Sequence, residues 1–237
     1  LFVTGQTSLY LSLQSHLGGP PFDKVGTYYS VDEGVTWQKF PQSPIVKGIS
    51  PFFEQDGTML ANADGLCGAS LCLSTDRGQT WSAPQSDPGY VRKVLFSPTN
   101  DLDHTIYAKM QTEVLFISTD SGVTWQHIEV DDPSGYRHVV IDFVLSPRYV
   151  EDHAIWLHGG QYGFAVSRDA GATWSPLSLY MIPVAAMDDC VSDTGCRVAV
   201  IGEYYYNRGL YKSYDYGQTW QCLETPYAPS APPPAEI

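Results

Sequence analysis

Short apolar runs alternate with polar segments along the chain, and the same order of runs returns several times. Residues 59–61, 106–108 and 155–157 are runs of a first kind, and residues 71–74, 115–118 and 164–167 are runs of a second kind. Such runs, rich in β-branched and aromatic side chains and bounded by turn residues, predict strands joined by turns. No long stretch shows the helical period, so the pattern predicts an all-β protein.

A polar octad, Ser-x-Asp-x-Gly-x-Thr-Trp, begins at the last residue of each run of the second kind. It occurs five times, with no departure at its five named positions. Its aspartates are Asp32, Asp76, Asp120, Asp169 and Asp215. Successive aspartates lie 44, 44, 49 and 46 residues apart. Self-similarity at such a period predicts a repeat architecture.

The residue types of the octad predict a tight turn between two strands. An Asp carboxylate accepts hydrogen bonds from backbone N–H groups one or two residues further on, which holds a turn. The Gly two positions later adopts a positive φ without a Cβ clash. Thr and Trp favour the start of the next strand, where the indole covers the turn. We therefore assign the five aspartates a structural role rather than a catalytic one.

A second signature, Ser-Pro followed by Asp, precedes each run of the first kind. It occurs at residues 50–56, 97–103 and 146–152. Proline cannot donate to a sheet ladder, so a strand is expected to end at Ser-Pro, with a loop closed by Asp after it. Each period then holds four strands, which is typical of a β-propeller blade. We predict a β-propeller of four-stranded antiparallel blades, with about five blades visible.

The two ends of the sequence depart from this repeat. Residues 1–5 read as the second strand of a blade, so the first blade is expected to be incomplete at its N-terminus, with a long insertion over residues 5–27. Residues 225–237 are rich in proline, which favours an extended polyproline conformation. We predict a propeller domain over residues 1–224 and a proline-rich tail or linker over residues 225–237.

Composition and charge exclude some classes of partner. The 237 residues carry a net charge of −13 at pH 7. Binding to nucleic acid or to anionic lipid needs a basic surface, so neither is expected. No apolar run approaches the length of a membrane span, so direct membrane insertion is not expected either.

The cysteines are spaced for local disulfide bonds. Cys67 and Cys72 flank one predicted loop, and Cys190 and Cys196 flank another. Each pair can close a bridge if its Cα atoms lie within about 7 Å. Cys222 is left over, as a buried thiol or as the partner of a cysteine in another segment. The spacing does not match a zinc site. We therefore expect no metal, and no motif points to a cofactor. Because disulfides persist outside the reducing cytosol, we expect a secreted or cell-surface protein.

The octad resembles the Asp-box, the repeat of bacterial sialidase-type β-propellers, across nearly the whole chain. That family also carries a Phe/Tyr-Arg-Ile-Pro motif, an arginine triad and a Tyr–Glu nucleophile pair. The nearest string here, residues 180–183, lacks the arginine. Xyloglucan-cleaving glycosidases are also built on Asp-box propellers and use two carboxylates across a cleft. Candidates for such a pair are Glu54, Asp142, Asp188, Asp189 and Glu203.

Tyrosines are concentrated in the connections at one end of the blades, opposite the Asp-boxes. We assign the insertion over residues 5–27, which contains Tyr10, to the same end. A tyrosine ring offers a flat apolar surface with a polar tip, which suits a sugar or a peptide. The candidate ligand-binding residues are Tyr90, Tyr136, Tyr162, Tyr180, Tyr204 and Arg208. We therefore predict a non-catalytic, exported module that binds a glycan or a protein. A glycoside hydrolase and a structural subunit of an extracellular assembly remain open alternatives.

Overall fold

The protein is built almost entirely from β-strands, as the sequence predicts. The structure is a computed structural model. It describes residues 2–4, 8–13, 26–40, 42, 44–62, 65–130, 139–146, 148–159, 164–177, 186–189, 197–202, 210–213, 219 and 221–223. The chain forms two compact units, Leu1–Ile128 and Glu129–Ile237. No helix among these residues has the length and apolar character needed to cross a membrane.

The first unit contains three antiparallel sheets whose strands pair in chain order. The first sheet consists of β1 (Phe2–Thr4), β2 (Ser8–Leu13), β3 (Gly26–Ser30) and β4 (Gln38–Lys39). The second consists of β5 (Ile45–Ile49), β6 (Met59–Asn62) and β7 (Leu71–Ser74). The third consists of β8 (Val91–Phe96), β9 (Ile106–Met110), β10 (Leu115–Ser118) and β11 (Gln126–Ile128).

The second unit contains two four-stranded antiparallel sheets of the same order. One consists of β12 (Asp142–Leu145), β13 (Ile155–His158), β14 (Phe164–Ser167) and β15 (Ser175–Leu177). The other consists of β16 (Ala186–Asp189), β17 (Arg197–Gly202), β18 (Leu210–Ser213) and β19 (Gln221–Leu223). Four of the five sheets that the structure describes thus confirm the predicted four-strand period.

The segment after each Ser-Pro is a one-turn helix rather than the predicted loop. The helices are α1 (Phe53–Asp56), α2 (Asn100–Asp103) and α3 (Tyr149–Asp152). Each ends at a residue in the left-handed conformation, which is Gly57 after α1 and a histidine after α2 and α3. A single helical turn is too short to produce a helical period in the sequence, which is why the pattern did not reveal it.

The first sheet corrects the expectation of an incomplete first blade. Residues 2–4 form its first strand and pair with β2, which in turn pairs with β3. The predicted insertion over residues 5–27 therefore contains the second strand of this sheet. Tyr10, which the sequence assigned to a loop, lies on β2 and is buried with Phe40 and Phe53. The alternating leucines of β2 are the local sequence signal for this strand.

The second sheet has three strands, and its fourth is reduced to a single bridge between Leu73 and Ser82. Both backbone hydrogen bonds of that bridge are 2.9 Å long. Pro84 follows two residues later, where it cannot donate to the ladder, so pairing stops there.

The core of the first unit lies between consecutive sheets. One cluster joins the second and third sheets and includes Leu60, Leu71, Ile106 and Met110, each at most 1% exposed. Every residue of β6, β7 and β9 is buried. Each large side chain buried in this way contributes about 1.5–3 kcal/mol. This packing fixes the ends of the strands, where the candidate sites lie.

Candidate functional site

Each sheet has two chemically distinct ends, because its strands form an antiparallel meander. The octad joins the third and fourth strands, and the one-turn helix joins the first and second, so both lie at one end, here named the Asp-box end. Connections between the second and third strands, and between sheets, lie at the opposite end.

The octad carboxylates that the structure describes are used within their own turns. In the first octad, Asp32 Oδ1 accepts hydrogen bonds from Ser30 Oγ at 2.7 Å and from Thr36 N at 2.8 Å. Asp32 Oδ2 accepts from Thr36 Oγ1 at 2.6 Å. The same three bonds recur at Asp76, Asp120 and Asp169. Asp215 lies outside the described residues.

The remaining positions of the octad complete the turn. Ser118 Oγ accepts from Gly122 N at 2.8 Å, and Trp125 Nε1 donates to Gly122 O at 3.1 Å. The residue before the glycine also has a positive φ, between 57° and 61° in the four described octads. Both central residues of the turn are therefore left-handed, although the sequence predicted this only for the glycine. Asp-box turns of this kind are rigid supports with their polar atoms already paired.

A second serine and aspartate pair holds the one-turn helix, where the sequence predicted a loop closed by the aspartate. Ser97 Oγ donates to Asp103 Oδ2 at 2.5 Å, and Asp103 Oδ1 accepts from Thr105 N at 2.8 Å. Equivalent bonds form at residues 50–58 and 146–154. The octad then bonds to this helix, since Ser121 N donates to His104 O at 3.0 Å. The period of the Ser-Pro motif was the signal that could have revealed this pairing.

The hydrogen bonds of the octads lower the pKa of their aspartates. Three hydrogen bonds to Thr36 and Ser30 lower the pKa of Asp32 to about 2 from an ordinary value of 3.8. The bond from the Thr80 hydroxyl is the main reason that the pKa of Asp76 is also lowered. Burial opposes ionisation of Asp120 and Asp169, but the bonds from their threonines and serines outweigh it and lower both pKa values. All four carboxylates therefore stabilise the fold in their ionised form.

We expect the thermal stability to fall as the pH drops from about 3.8 towards about 2. A carboxylate with a lowered pKa contributes stability above its unfolded pKa and loses it as the pH falls through its folded pKa. Thermal melts over this pH range measure the effect. Asp32→Asn should flatten the acid branch, whereas Asp101→Asn, at an exposed aspartate on α2, should leave it unchanged. Equal changes in the two variants would contradict the assignment.

The opposite end of the second sheet is closed by a disulfide bond. Cys67 and Cys72 are joined with an S–S distance of 2.01 Å and a Cα–Cα distance of 5.9 Å, which confirms the first of the two predicted bridges. Cys190 and Cys196 lie outside the described residues. The register of β19 places Cys222 opposite Tyr211.

Tyr90 is the candidate ligand-binding residue that the structure describes. It is 41% exposed and immediately precedes β8, at the opposite end of the third sheet. Its carbonyl oxygen accepts a hydrogen bond of 2.8 Å from Gln111 N, in the turn between β9 and β10. The backbone at Tyr90 is thereby fixed while its ring faces solvent. Tyr136, Tyr162, Tyr180, Tyr204 and Arg208 lie outside the described residues.

Two polar residues that the sequence did not single out organise the same end. The buried Asn62 side chain donates to Val91 O at 2.7 Å and accepts from Val91 N at 3.1 Å, which joins the second sheet to the third. Asp87 accepts from Ser70 N at 2.8 Å and from Gly89 N at 3.0 Å, which ties the segment between these sheets to the start of β7. Neither residue belongs to a repeated motif, so no sequence pattern distinguishes it from other polar residues.

The described carboxylates proposed for a glycosidase pair have other neighbours. Glu54 lies on α1 at the Asp-box end, where Arg77 Nη2 is 3.9 Å from its Oε2. Asp142 lies on β12, and its Oδ1 accepts a bond of 2.8 Å from Phe143 N. Asp188 and Asp189 lie on β16, where their backbone pairs with Val198 and Arg197. Glu203 lies outside the described residues.

Comparison with known proteins supports the repeat and the fold. The BNR/Asp-box repeat family matches residues 28–39 and 73–83. No curated protein sequence matches the chain significantly. Among solved structures, the GH74 enzyme of Niastella koreensis has 20% sequence identity and a TM-score of 0.59, over 84% of this chain and 28% of that one.

Two further solved structures are similar. The GH74 xyloglucanase from Xanthomonas campestris has 13% identity and a TM-score of 0.52, over 88% of this chain and 36% of that one. YCF48 bound to D1 peptide has 19% identity and a TM-score of 0.50, over 83% of this chain and 60% of that one. The chain thus spans 28% to 60% of the length of these three proteins.

Identities this low establish the fold alone. Five octads, four-stranded antiparallel sheets and these likenesses define the class of the protein. The chain carries Asp-box repeats and has a β-propeller fold.

Proposed function

We propose that the chain is a non-catalytic binding module of an exported protein, and that it holds a glycan or a protein at the end opposite the Asp-boxes. One observation carries this proposal. The described octad carboxylates accept hydrogen bonds within their own turns, whereas Tyr90 presents an exposed ring on a fixed backbone at the other end. Aromatic side chains of this kind are common anchors of recognition surfaces.

The disulfide bond supports the exported location in this proposal, because such bonds persist in oxidising compartments. The positions of Glu54 and Asp142 support the absence of catalysis. A glycosidase needs two carboxylates about 5–9.5 Å apart across the substrate. Glu54 instead lies at the Asp-box end beside Arg77, and Asp142 bonds to the backbone of its own strand.

A glycan array tests the glycan part of the proposal. We expect Tyr90→Ala to lower affinity for the bound glycan about tenfold, because an anchoring aromatic contributes at least about 1.4 kcal/mol. Leu102→Ala is the matched control, since Leu102 is 76% exposed on α2 at the Asp-box end. Equal losses in the two variants would contradict the assigned surface. Turnover of fluorogenic sialosides or β-glucans by the unmodified chain would contradict the absence of catalysis.

A photo-crosslinking experiment tests the protein part. A photoreactive phenylalanine analogue at position 90 of the full-length exported protein should capture its ligand in place, and the same analogue at position 102 should not. Capture at position 102 alone would place the binding surface at the Asp-box end. No glycan binding together with no capture at position 90 would refute the binding module as proposed.

A further inference from the structure

A short disulfide loop lies at the start of β7. The Cys67–Cys72 bridge closes this loop, which contains Ser70 and Leu71. Cys67 Sγ lies 3.9 Å from Ala69 O and 3.6 Å from Leu71 O, so the bridge contacts the backbone on both sides of Ser70. The bridge therefore restrains the backbone N–H groups of Ser70 and Leu71.

The segment at the bridge is exposed and has a mobile type of backbone. A Cβ atom on Gly65 or Gly68 would meet nothing within 4 Å, so this part of the loop lies in open space. Both glycines have a positive φ, of 75° and 80°. Glycine has more backbone conformations available than other residues, so opening the bridge would let this segment sample many of them.

Asp87 connects the loop to the backbone at Tyr90. Its carboxylate accepts hydrogen bonds from Ser70 N at 2.8 Å and from Leu71 N at 3.4 Å, on the loop side. It also accepts one of 3.0 Å from Gly89 N, immediately before Tyr90. Burial opposes ionisation of Asp87, but these bonds outweigh it and lower its pKa. One charged side chain thus links the order of the loop to the turn that presents the Tyr90 ring.

The strands beneath the loop are held by their own pairing and packing. Strands β6 and β7 pair along all four of their residues, and every one of these residues is buried. The bridged cysteines are only 5 residues apart, and closure of a short loop stabilises a fold less than closure of a long one. Opening the bridge should therefore loosen the loop and leave the sheet intact.

We propose that the Cys67–Cys72 bridge makes ligand binding at Tyr90 depend on the oxidation state of the two cysteines. The oxidised bridge orders the turn that presents the Tyr90 ring, and the reduced cysteines release it. That Tyr90 binds a ligand rests on the proposed function. A site that is ordered for only a fraction of the time binds with an affinity lowered by that fraction. The binding surface is then complete only in an oxidising compartment.

The reduction needs a thiol as its co-reactant. Cys67 is half-buried whereas Cys72 is fully buried, so a thiolate attacks Cys67 Sγ and the S–S bond breaks. Cys72 leaves as a thiolate and takes up a proton. A second thiol then displaces Cys67 from the mixed disulfide. The bridge gains two electrons and two protons, and the two thiols are oxidised to one disulfide.

Hydrogen exchange of the full chain, with and without dithiothreitol, tests the connection between the bridge and Tyr90. On reduction, we expect the amides of Ser70 and Gly89 to exchange about tenfold faster or more, because their hydrogen bonds to the carboxylate open locally. The amides of Ala61 and Ala108, on β6 and β9, should be unchanged. Unchanged exchange at Ser70 and Gly89, or equal acceleration at Ala61, would overturn the inference.

The glycan array, and photo-crosslinking from position 90, measure the effect on binding. We expect reduction to weaken Tyr90-dependent binding and capture about tenfold. The double variant Cys67→Ala/Cys72→Ala should bind as weakly as the reduced chain, and dithiothreitol should not weaken it further, which controls for the other cysteines. Reduction should have no additional effect in Tyr90→Ala, because changes that act through one ring are not additive.

A matched pair of variants tests the route through Asp87. Asp87→Ala keeps the bridge but removes the acceptor for the loop and for the turn, so it should weaken binding about as much as reduction does. Asp101→Ala removes the same charge from an exposed position on α2 and should leave affinity unchanged. Circular dichroism checks that each variant is folded. Equal losses in the two variants, or full binding by Asp87→Ala, would overturn the route.

The outcomes separate this inference from the proposed function. Tyr90-dependent binding that is equally strong in the oxidised and reduced chains would refute the regulation and leave the binding module standing. Faster exchange at Ser70 and Gly89 with no binding or capture by either form would refute the binding module, and the regulation with it. A loss on reduction that is as large in Tyr90→Ala as in the unmodified chain would show that the bridge acts elsewhere, and would overturn the inference.

Discussion

Gly78→Ala should lower the free energy of unfolding by about 2–5 kcal/mol, through about 1–2 kcal/mol of backbone strain and about 1–3 kcal/mol of overpacking. Gly78 has a φ of +78°, and a Cβ atom there would lie 2.3 Å from Phe40 Cε1. Phe40 cannot withdraw easily, because it is 7% exposed and packs against Tyr10 and Tyr29. Chemical denaturation at equilibrium measures the loss.

Gly122→Ala is the control for the backbone contribution. Gly122 occupies the same octad position with a φ of +90°, but its nearest neighbour, Leu60 Cδ2, would lie 3.4 Å from the new Cβ, close to ordinary contact. Its loss should be limited to the strain of a left-handed alanine, about 1–2 kcal/mol. Equal losses in the two variants would show that the ring of Phe40 does not oppose a Cβ at Gly78.

The strands next to the octads could be predicted from sequence because their signals are local. Residues 71–74, 115–118 and 164–167 are third strands with the predicted bounds. Side chains within eight residues of one another supply the hydrogen bonds of each octad, as at Ser118, Asp120 and Thr124. Hydrogen bonds confined to so short a segment can be predicted from its residue types and their spacing.

The first sheet could not be assigned correctly because no Ser-Pro signature marks the connection between its first and second strands. Residues 2–4 resemble a second strand in composition, and the choice between a first and a second strand depends on what they pair with. The fourth strand after Trp81 was also not expected to be reduced to a bridge at Ser82, although Pro84 is a local signal that pairing stops there. Pairing is a property of the sheet rather than of a segment.

The two β-bulges could not be predicted from the sequence. The register shifts between Val46 and Gly48 on β5 and between Val91 and Lys93 on β8. A bulge is defined by how a strand pairs with its neighbour, and neither of the extra residues, Lys47 and Arg92, is of a type that marks one.

The structural role of the octads predicts a second large effect. Asp120→Ala should lower the free energy of unfolding by about 1–3 kcal/mol, because it leaves partly buried polar groups without their acceptor. The lost bonds come from Ser118 Oγ, Thr124 N and Thr124 Oγ1. The turn they hold supports Trp125, which is 5% exposed and packs between the second and third sheets. Denaturation at neutral pH measures the effect.

Asp32→Ala removes the same three bonds from a more exposed turn, since Trp37 of that octad is 39% exposed. Water can replace the lost acceptor there, so the loss of stability should be clearly smaller than for Asp120→Ala. The comparison separates the bonds from their burial, because the bonds are alike and the surroundings differ. If Asp32→Ala lowered the free energy of unfolding as much as Asp120→Ala, the contribution of an Asp-box to stability would depend on the geometry of its turn alone. The packing of its tryptophan would then not matter.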